Sequence, residues 1–488
     1  MPVQYRVVQR LLGYLLTFFS LGMLPPLALS LILGDGEAFS FLYAFFLLFL
    51  LGTALWVQAA HRAPRRQPLR LRDGFVVVSL FWIGLGMAGS IPLYISPSLQ
   101  LSGTDAVFEA VSGLTTTGAS VLTGLDDMPP SILFYRQFLQ WAGGLGIIVL
   151  AVAILPLVGM GGVQLYQAEA PHSLTERRLT PRITETAKVL WYLYFALTAA
   201  CGLAYWLAGM SPLDAVGHAF STIAIGGFST HDANFGYFDS ALIEMIAVVF
   251  MVLAGANFGL HYLALSRRSL QPYRQNGEFR GYVTVLASVG IICIGYLWAT
   301  SFYGDSVETL RHGLFQAVSI ATTTGYTTTG YDHWPVFAST LLLLASFIGG
   351  CAGSTGGGMK VIRFLLMVKH GGKELYRIIH PTAQVTVRVG DRVISQSALQ
   401  SVWGFFAAYI TTFTVLFLLL TMTGLDQVSA FSAVAATLNN LGPGLGEVSQ
   451  SYASVSDFGK WLLCASMVFG RLEVFTLLVI LTPGFWRR

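Results

Sequence analysis

Charge is what this sequence has least of. Of its 488 residues only 11% are Asp, Glu, Lys or Arg, while 54% are hydrophobic; a soluble domain carries roughly a quarter charged residues. That is too little charge to cover a globular surface. A soluble enzyme, a secreted scaffold and a disordered regulator are excluded as whole-chain readings, and a polytopic membrane protein remains. A net charge of +4 is small for this length, so nucleic acid is not an implied partner. Cysteine is scarce too. Cys201, Cys293, Cys351 and Cys464 lie far apart, each inside a membrane-length run, without the short spacing of a zinc site or redox pair, and read as apolar packing residues. No Walker-type loop, aspartyl-phosphorylation motif or hydrolytic constellation is present. An enzyme is therefore not expected, and the energy must come from an ion gradient or the membrane potential.

Long apolar runs, by contrast, fill the chain. A bilayer core needs about 20 apolar residues of helix, and ten runs reach that length: 11–33, 38–60, 73–97, 133–160, 187–209, 240–265, 281–303, 337–366, 398–424 and 456–484. The first is not followed by a small-residue cleavage site before the second begins, which argues against a removed signal peptide. Ten crossings put both termini on one side. On that face fall 23 of the 28 Lys and Arg, in the segments 6–72, 177–188, 267–280, 363–392 and the C-terminus. Arg136, Arg311 and Lys460 fall on the other, and Lys360 and Arg471 lie within spans. By the positive-inside rule the termini are cytoplasmic. The largest cytoplasmic segment, 366–397, reads as a docking surface.

The outer loops, 98–132, 210–239, 304–336 and 425–455, each open with an apolar stretch of about a dozen residues, too short to cross, and then reach a Gly-containing, Thr- or Asn-rich segment. That is the pattern of a re-entrant loop, tolerated at membrane depth only where it lines water or is buried in protein. The four are copies of one unit: DAVFEAVSGLTTTGAS at 105–120, DAVGHAFSTIAIGGFST at 214–230, HGLFQAVSIATTTGYT at 312–327 and SAFSAVAATLNNLGPG at 429–444. Asp105, Asp214, His312 and Ser429 each precede a glycine by 13 residues, namely Gly118, Gly227, Gly325 and Gly442. Three copies carry serine six before the glycine, Ser112, Ser221 and Ser319. A single small-residue run would read as a helix-packing surface; four at matched offsets do not.

Cation coordination by backbone carbonyls suits this unit. A dozen-residue helix rises about 18 Å, from the outer surface to the midplane, and its C-terminal end presents the negative end of the dipole. Glycine permits backbone that turns carbonyls toward an axis, and rings of carbonyls replace a monovalent cation's hydration shell. The preceding residues vary: Thr116-Thr117, Ile225-Gly226, Thr323-Thr324 and Asn440-Leu441. Such variation fits a site built from main chain.

These residues resemble the membrane subunit of Trk-type potassium uptake systems, within the Trk/Ktr/HKT superfamily. The segments QWAGGLGIIVLAVAILP at 140–156, LTPRITETAKVLWYLY at 179–194 and GGCAGSTGGGMKVIR at 349–363 are similar to family segments, and the two spans before the first repeat resemble the TrkH/TrkG branch. The resemblance implies an all-α fold with two N-terminal spans and four M1–pore helix–M2 repeats around an ion pathway. Its units here would be a hairpin at 1–70 and repeats at 71–165, 166–266, 267–368 and 369–488. It implies potassium uptake across the bacterial inner membrane, with K⁺ bound as substrate ion and no covalent cofactor. It further implies a homodimer with one pore per protomer, resting on a cytoplasmic nucleotide-binding ring of the TrkA type, through which alone nucleotide acts. A serine at the first filter glycine accompanies sodium transport in the superfamily; here it is Gly118. The fourth filter, Asn439-Asn440-Leu441-Gly442-Pro443, departs from Thr-Thr-Gly.

The eighth run holds six glycines in ten residues, Gly349, Gly350, Gly353, Gly356, Gly357 and Gly358. Each costs about 1 kcal/mol against alanine in a helix, so this stretch is expected to unwind below the third filter as a movable constriction. Arg471 and Glu473 are intramembrane charges, functional by default. The resemblance aims Arg471 at the pore near the glycine loop. Glu473, two residues on, does not share its helix face and is assigned to interhelical packing. Lys360 follows the loop and is placed to donate to freed carbonyls. Asn257 and His261, i,i+4 on the sixth run, are expected to make interhelical hydrogen bonds. Three other readings fit the same residues: a K⁺/H⁺ or K⁺/Na⁺ symporter, a non-selective K⁺/Na⁺ channel, and a scaffold subunit without transport of its own.

Overall fold

A computed structural model describes residues 4–60, 71–153, 183–390 and 392–487. Arg62, Arg65, Arg66, Arg70, Arg177, Arg178, Arg182 and Arg488 of the basic face lie outside the described residues, as do 154–160 of the fourth apolar run and the expected junction at 165/166. The fold is all-α and polytopic. It opens with α1 (Tyr5–Ser20), one 3-10 turn and α2 (Leu24–Leu33), a single crossing-length stack whose joint falls just before Pro25 and Pro26, followed by α3 (Ala38–Ala60). Proline has no N–H to give and fixes its own φ, so the helix restarts there instead of running through.

Four similar units follow. The first is α4 (Leu71–Ile95), the short α5 (Gly103–Leu114) and α6 (Pro130–Ala153). The second is α7 (Ile183–Leu207), the short α8 (Pro212–Ala224), and α9 (Ala241–Ala254) with α10 (Phe258–Arg267). A five-residue helix, α11 (Gln271–Gln275), leads to the third: α12 (Gly277–Ala299), the short α13 (Ser306–Ala321), α14 (Val336–Ser346) and α15 (Val361–Ile379). The fourth is α16 (Gln396–Thr421), the short α17 (Gln427–Leu438), α18 (Asp457–Arg471) and α19 (Phe475–Leu481), with a last turn α20 (Pro483–Trp486). A two-residue antiparallel pairing, Arg388↔Val393 and Val389↔Arg392, joins the third unit to the fourth.

Each short helix packs in its own unit and also on the preceding one: α8 on α6, α13 on α9, α17 on α14, and α5 on α18. The last contact closes the four into a ring. The N-terminal helices lie outside it, against α4 and α6.

Among the described residues, the sixth and tenth runs are sharply bent at an internal break. The sixth bends by 94° between α9 and α10, and the tenth by 114° between α18 and α19. In the sixth, Asn257 starts a new helix: its Oδ1 accepts from Gly259 N (2.8 Å) and Leu260 N (3.3 Å). Asn257 is thus a cap, and it does not share a helix face with His261, which bonds Leu253 O (2.8 Å) and Tyr273 OH (2.5 Å). In the tenth, Glu473 and Val474 both stand at φ 53°, a region β-branched residues avoid. Glu473 therefore leaves the helix altogether. The eighth run is interrupted between α14 and α15, as its glycines predict.

Candidate ion pathway

The four short helices start on side-chain caps. Ser102 accepts from Asp105 N and Ser211 from Asp214 N, each at 3.1 Å, and each serine donates back to the same aspartate, at 2.8 and 2.7 Å. Asp305 and Asp426 cap the third and fourth. His312 is not at a helix start: α13 begins at Ser306, and the His312 imidazole meets Thr328 Oγ1 at 2.9 Å.

All four helices end in one turn. Two residues before the glycine the backbone is left-handed, at φ 54° for Thr116, 54° for Ile225, 67° for Thr323 and 53° for Asn440. It is so again at Gly118 (82°), Gly227 (79°), Gly325 (82°) and Gly442 (99°). The residue between donates back to the helix: Thr117 N to Ser112 O (2.9 Å), Gly226 N to Ser221 O (2.9 Å), Thr324 N to Ser319 O (2.8 Å) and Leu441 N to Ala436 O (2.7 Å). The repeated serine thus contributes its carbonyl, which is why alanine serves in the fourth copy.

The turns touch one another in cyclic order. A Cβ on Gly118 would stand 2.1 Å from Gly226 O, one on Gly227 2.1 Å from Thr324 O, one on Gly325 2.0 Å from Leu441 O, and one on Gly442 2.7 Å from Thr117 O. Each glycine admits the carbonyl that precedes the next glycine, and the fourth returns to the first. Four helix C-termini with their partial negative charge are thereby gathered at one point.

The side chains behind the turns differ by quadrant. Thr115 and Thr117 share a hydroxyl contact of 2.8 Å, and so do Thr322 and Thr324. In the fourth, Asn440 Nδ2 reaches Thr117 Oγ1 and Met467 O, both at 3.0 Å, while Asn439 accepts from Tyr409 and donates to Ser346. Behind the second, Gln140 Nε2 donates to Gly226 O (2.6 Å), Gln137 Nε2 to Phe228 O (3.2 Å) and Arg136 Nη1 to Ser229 O (3.3 Å). Arg136 also pairs with the buried Glu109 at 2.7 Å. Sequence reasoning missed these groups; their signal is a set of polar residues at 136, 137 and 140 opening an otherwise apolar helix.

The glycine-rich segment lies directly under the turns. Thr355 Oγ1 donates to Ile223 O (2.9 Å) in the second unit, Gly357 N to Thr323 Oγ1 (2.7 Å) in the third and Gly358 N to Asn439 O (3.1 Å) in the fourth. Gly349, Gly353 and Gly358 take positive φ, and a Cβ on Gly357 would meet Asn439 O at 1.9 Å. Cys351 N donates to Gly255 O (2.8 Å), Val361 N to Gly350 O (3.0 Å), and Asn257 Nδ2 to Ala352 O (2.6 Å), which ties the loop to the break between α9 and α10. Lys360 Nζ donates to Gly356 O. Arg471, at the end of α18, is buried, donates through Nη1 to Thr355 O (3.0 Å), and has no carboxylate within ion-pair distance among the described residues. Glu473 instead pairs with Arg363 across to α15 at 2.5 Å, so its role is an ion pair between helices and not packing alone.

At the mouth, Lys460 Nζ meets Asp105 at 2.6 Å across the closing seam. His231 lies between Asp126 (2.5 Å) and Asp214 (3.5 Å) and stacks on Tyr237. Burial works against its protonation, but the two carboxylates prevail and raise its pKa. Burial likewise opposes the Asp214 charge, yet its hydrogen bonds hold that carboxyl below the usual range; the His231 contact lowers Asp126.

The sequence model of the TrkH family, described as a cation transport protein, matches residues 37–485. Trk system potassium uptake protein TrkH of Vibrio parahaemolyticus is 52% identical over 99% of this chain and 100% of its own. TrkH of Escherichia coli K12 is 50% identical over 99% and 100%, and TrkG of the same strain 40% identical over 99% and 99%. The crystal structure of the potassium transporter TrkH from Vibrio parahaemolyticus superposes with a TM-score of 0.92 at 51% identity, covering 99% of this chain and 100% of that one.

Proposed function

The chain belongs to the TrkH family of cation transport proteins, transporters and not enzymes, and on that premise we propose that it takes up potassium across a bacterial inner membrane through a pore selected by its four glycine turns. The observation that carries this is the closed ring in which Gly118, Gly227, Gly325 and Gly442 each admit the next turn's carbonyl. Four helix C-termini and a ring of main-chain oxygens suit a dehydrated monovalent cation, K⁺, bound as the substrate ion.

The loop from Gly349 to Gly358 is the gate in this proposal. It is bonded to the second, third and fourth turns from below, and Arg471 adds a buried positive charge at Thr355. Moving the loop and withdrawing the charge would open the path. Passive conduction is proposed over coupled symport because Asp105 and Asp214 accept from the capping Ser102 and Ser211 and pair with Lys460 and His231, while His312 bonds Thr328. The bias of basic residues supports cytoplasmic termini. The likeness to Trk-type systems supports a homodimer on a cytoplasmic TrkA-type nucleotide-binding ring.

Uptake of radioactive potassium by liposomes holding the purified chain tests the proposal. Accumulation driven by an inside-negative potential, competed by K⁺ and not by Na⁺, is expected. Uptake that needs a proton or sodium gradient would replace the pore with a symporter, and no uptake with or without a cytoplasmic partner would leave a scaffold.

A further inference from the structure

The second turn has a second glycine where the first and third have threonine: Ile225-Gly226-Gly227 stands in place of Thr-Thr-Gly. In those two, the threonine before the glycine is held from within its own unit by the hydroxyl three residues from the glycine. Gly226 has no side chain to be held. Gln140 occupies that space instead, arriving on α6 from the preceding unit: a Cβ on Gly226 would stand 2.4 Å from the Gln140 Cδ.

Gln140 is fully buried and its amide is spent on the main chain of this turn. Phe228 N donates to Oε1 at 3.1 Å, and Nε2 donates to Gly226 O at 2.6 Å. Because Phe228 N–H can only donate, the atom facing it is the oxygen, and the amino group falls on Gly226 O. The amide thus straddles Gly227, one contact on each side. Gly226 O is also the oxygen that the Gly118 Cα approaches in the ring. With two adjacent glycines, this turn has more backbone freedom than any other, and its carbonyl orientation rests on a group outside it.

We propose that Gln140 is a positioning residue for ion discrimination: its amide replaces the missing threonine and sets the Gly226 carbonyl of the second quadrant. This rests on the reading of the turns as a potassium filter. A carbonyl released from Gln140 can turn to suit a smaller ion, so the loss falls on discrimination between ions and not simply on flux.

The test is the K⁺/Na⁺ permeability ratio, from the reversal potential of the purified full chain in liposomes with K⁺ on one side and Na⁺ on the other. Gln140→Met keeps the volume and removes the amide; Gln140→Leu removes the amide with a different side-chain shape, so that a loss common to both is the amide's. Both are compared with wild type at equal amounts of folded protein. The ratio is expected to fall about tenfold in each, equivalent to about 1.4 kcal/mol between the two ions. A wild-type ratio in either variant, with wild type selective, overturns the inference and leaves the potassium filter standing. A wild-type protein that passes both ions alike overturns the filter reading, and the inference with it.

Discussion

Arg471 donates through Nη1 to the main-chain oxygen of Thr355 at 3.0 Å, and the Thr355 hydroxyl in turn donates to Ile223 O at the end of α8, at 2.9 Å. One residue therefore joins the buried charge of the last unit to the turn of the second. Nothing in the chain order brings 471, 355 and 223 together; the ring does.

Arg471→Ala removes both the charge and the clasp on the loop, so it is expected to raise ion flux at equal protein level. Deleting two or three residues between 349 and 358 is expected to do the same, since the loop would no longer reach the turns above it. Tracer efflux from liposomes reads both. Unchanged flux in both variants would remove the gate from the account.

Alanine at the four ring glycines is expected to act in a graded way. At Gly118, Gly227 and Gly325 the new Cβ would stand 2.0–2.1 Å from a neighbouring carbonyl oxygen, whereas at Gly442 it would stand 2.7 Å from one. All four also force alanine to positive φ. Potassium flux should be abolished in the first three and partly retained in Gly442→Ala. A larger loss at 442 than at 118 would contradict the cyclic contact as the seat of selectivity.

Glu109 is buried without exposure, accepts from Arg136 Nε at 2.7 Å, and also receives Ser120 Oγ and Val121 N. Removing either partner leaves a buried charge uncompensated, which costs about 3–5 kcal/mol. Glu109→Gln and Arg136→Met are expected to lower the melting temperature in detergent strongly, and the double variant to recover part of the loss. Two independent, additive losses would show that the pair is not coupled.

The outer bridge at His231 has a pH window. Its pKa is raised, so the stability it adds is complete below the ordinary histidine value and disappears as pH rises through the folded one. Asp126 and Asp214 are lowered, so theirs holds above the ordinary carboxylate value and is lost only as pH falls through the folded ones. A partly exposed pair of this kind is worth about 0.2–1 kcal/mol. Melting temperature should thus decline on the alkaline side more steeply in wild type than in His231→Gln. Identical alkaline limbs would exclude the bridge.

The four units, their glycines and the interrupted eighth run are legible in the sequence because apolar length and repeat spacing are local properties. The breaks after Ala254 and Arg471 are not. Neither contains proline, and in the second Glu473, at positive φ beside Val474, meets Arg363 of α15, a tertiary partner 110 positions away. The extent of α13 was obscured for a related reason: the spacing to the glycine aligns His312 with Asp105, but Asp305 caps the helix earlier. The role of Gln140 has no local signal, because its partner lies 86 positions away, in the turn of the second unit.

The proposal that four glycine turns form one potassium-selective ring stands or falls with the reversal potential of the purified wild-type chain. With K⁺ on one side of the liposome membrane and Na⁺ on the other, a value close to the potassium equilibrium limit is expected. A clear current reversing near zero would contradict it.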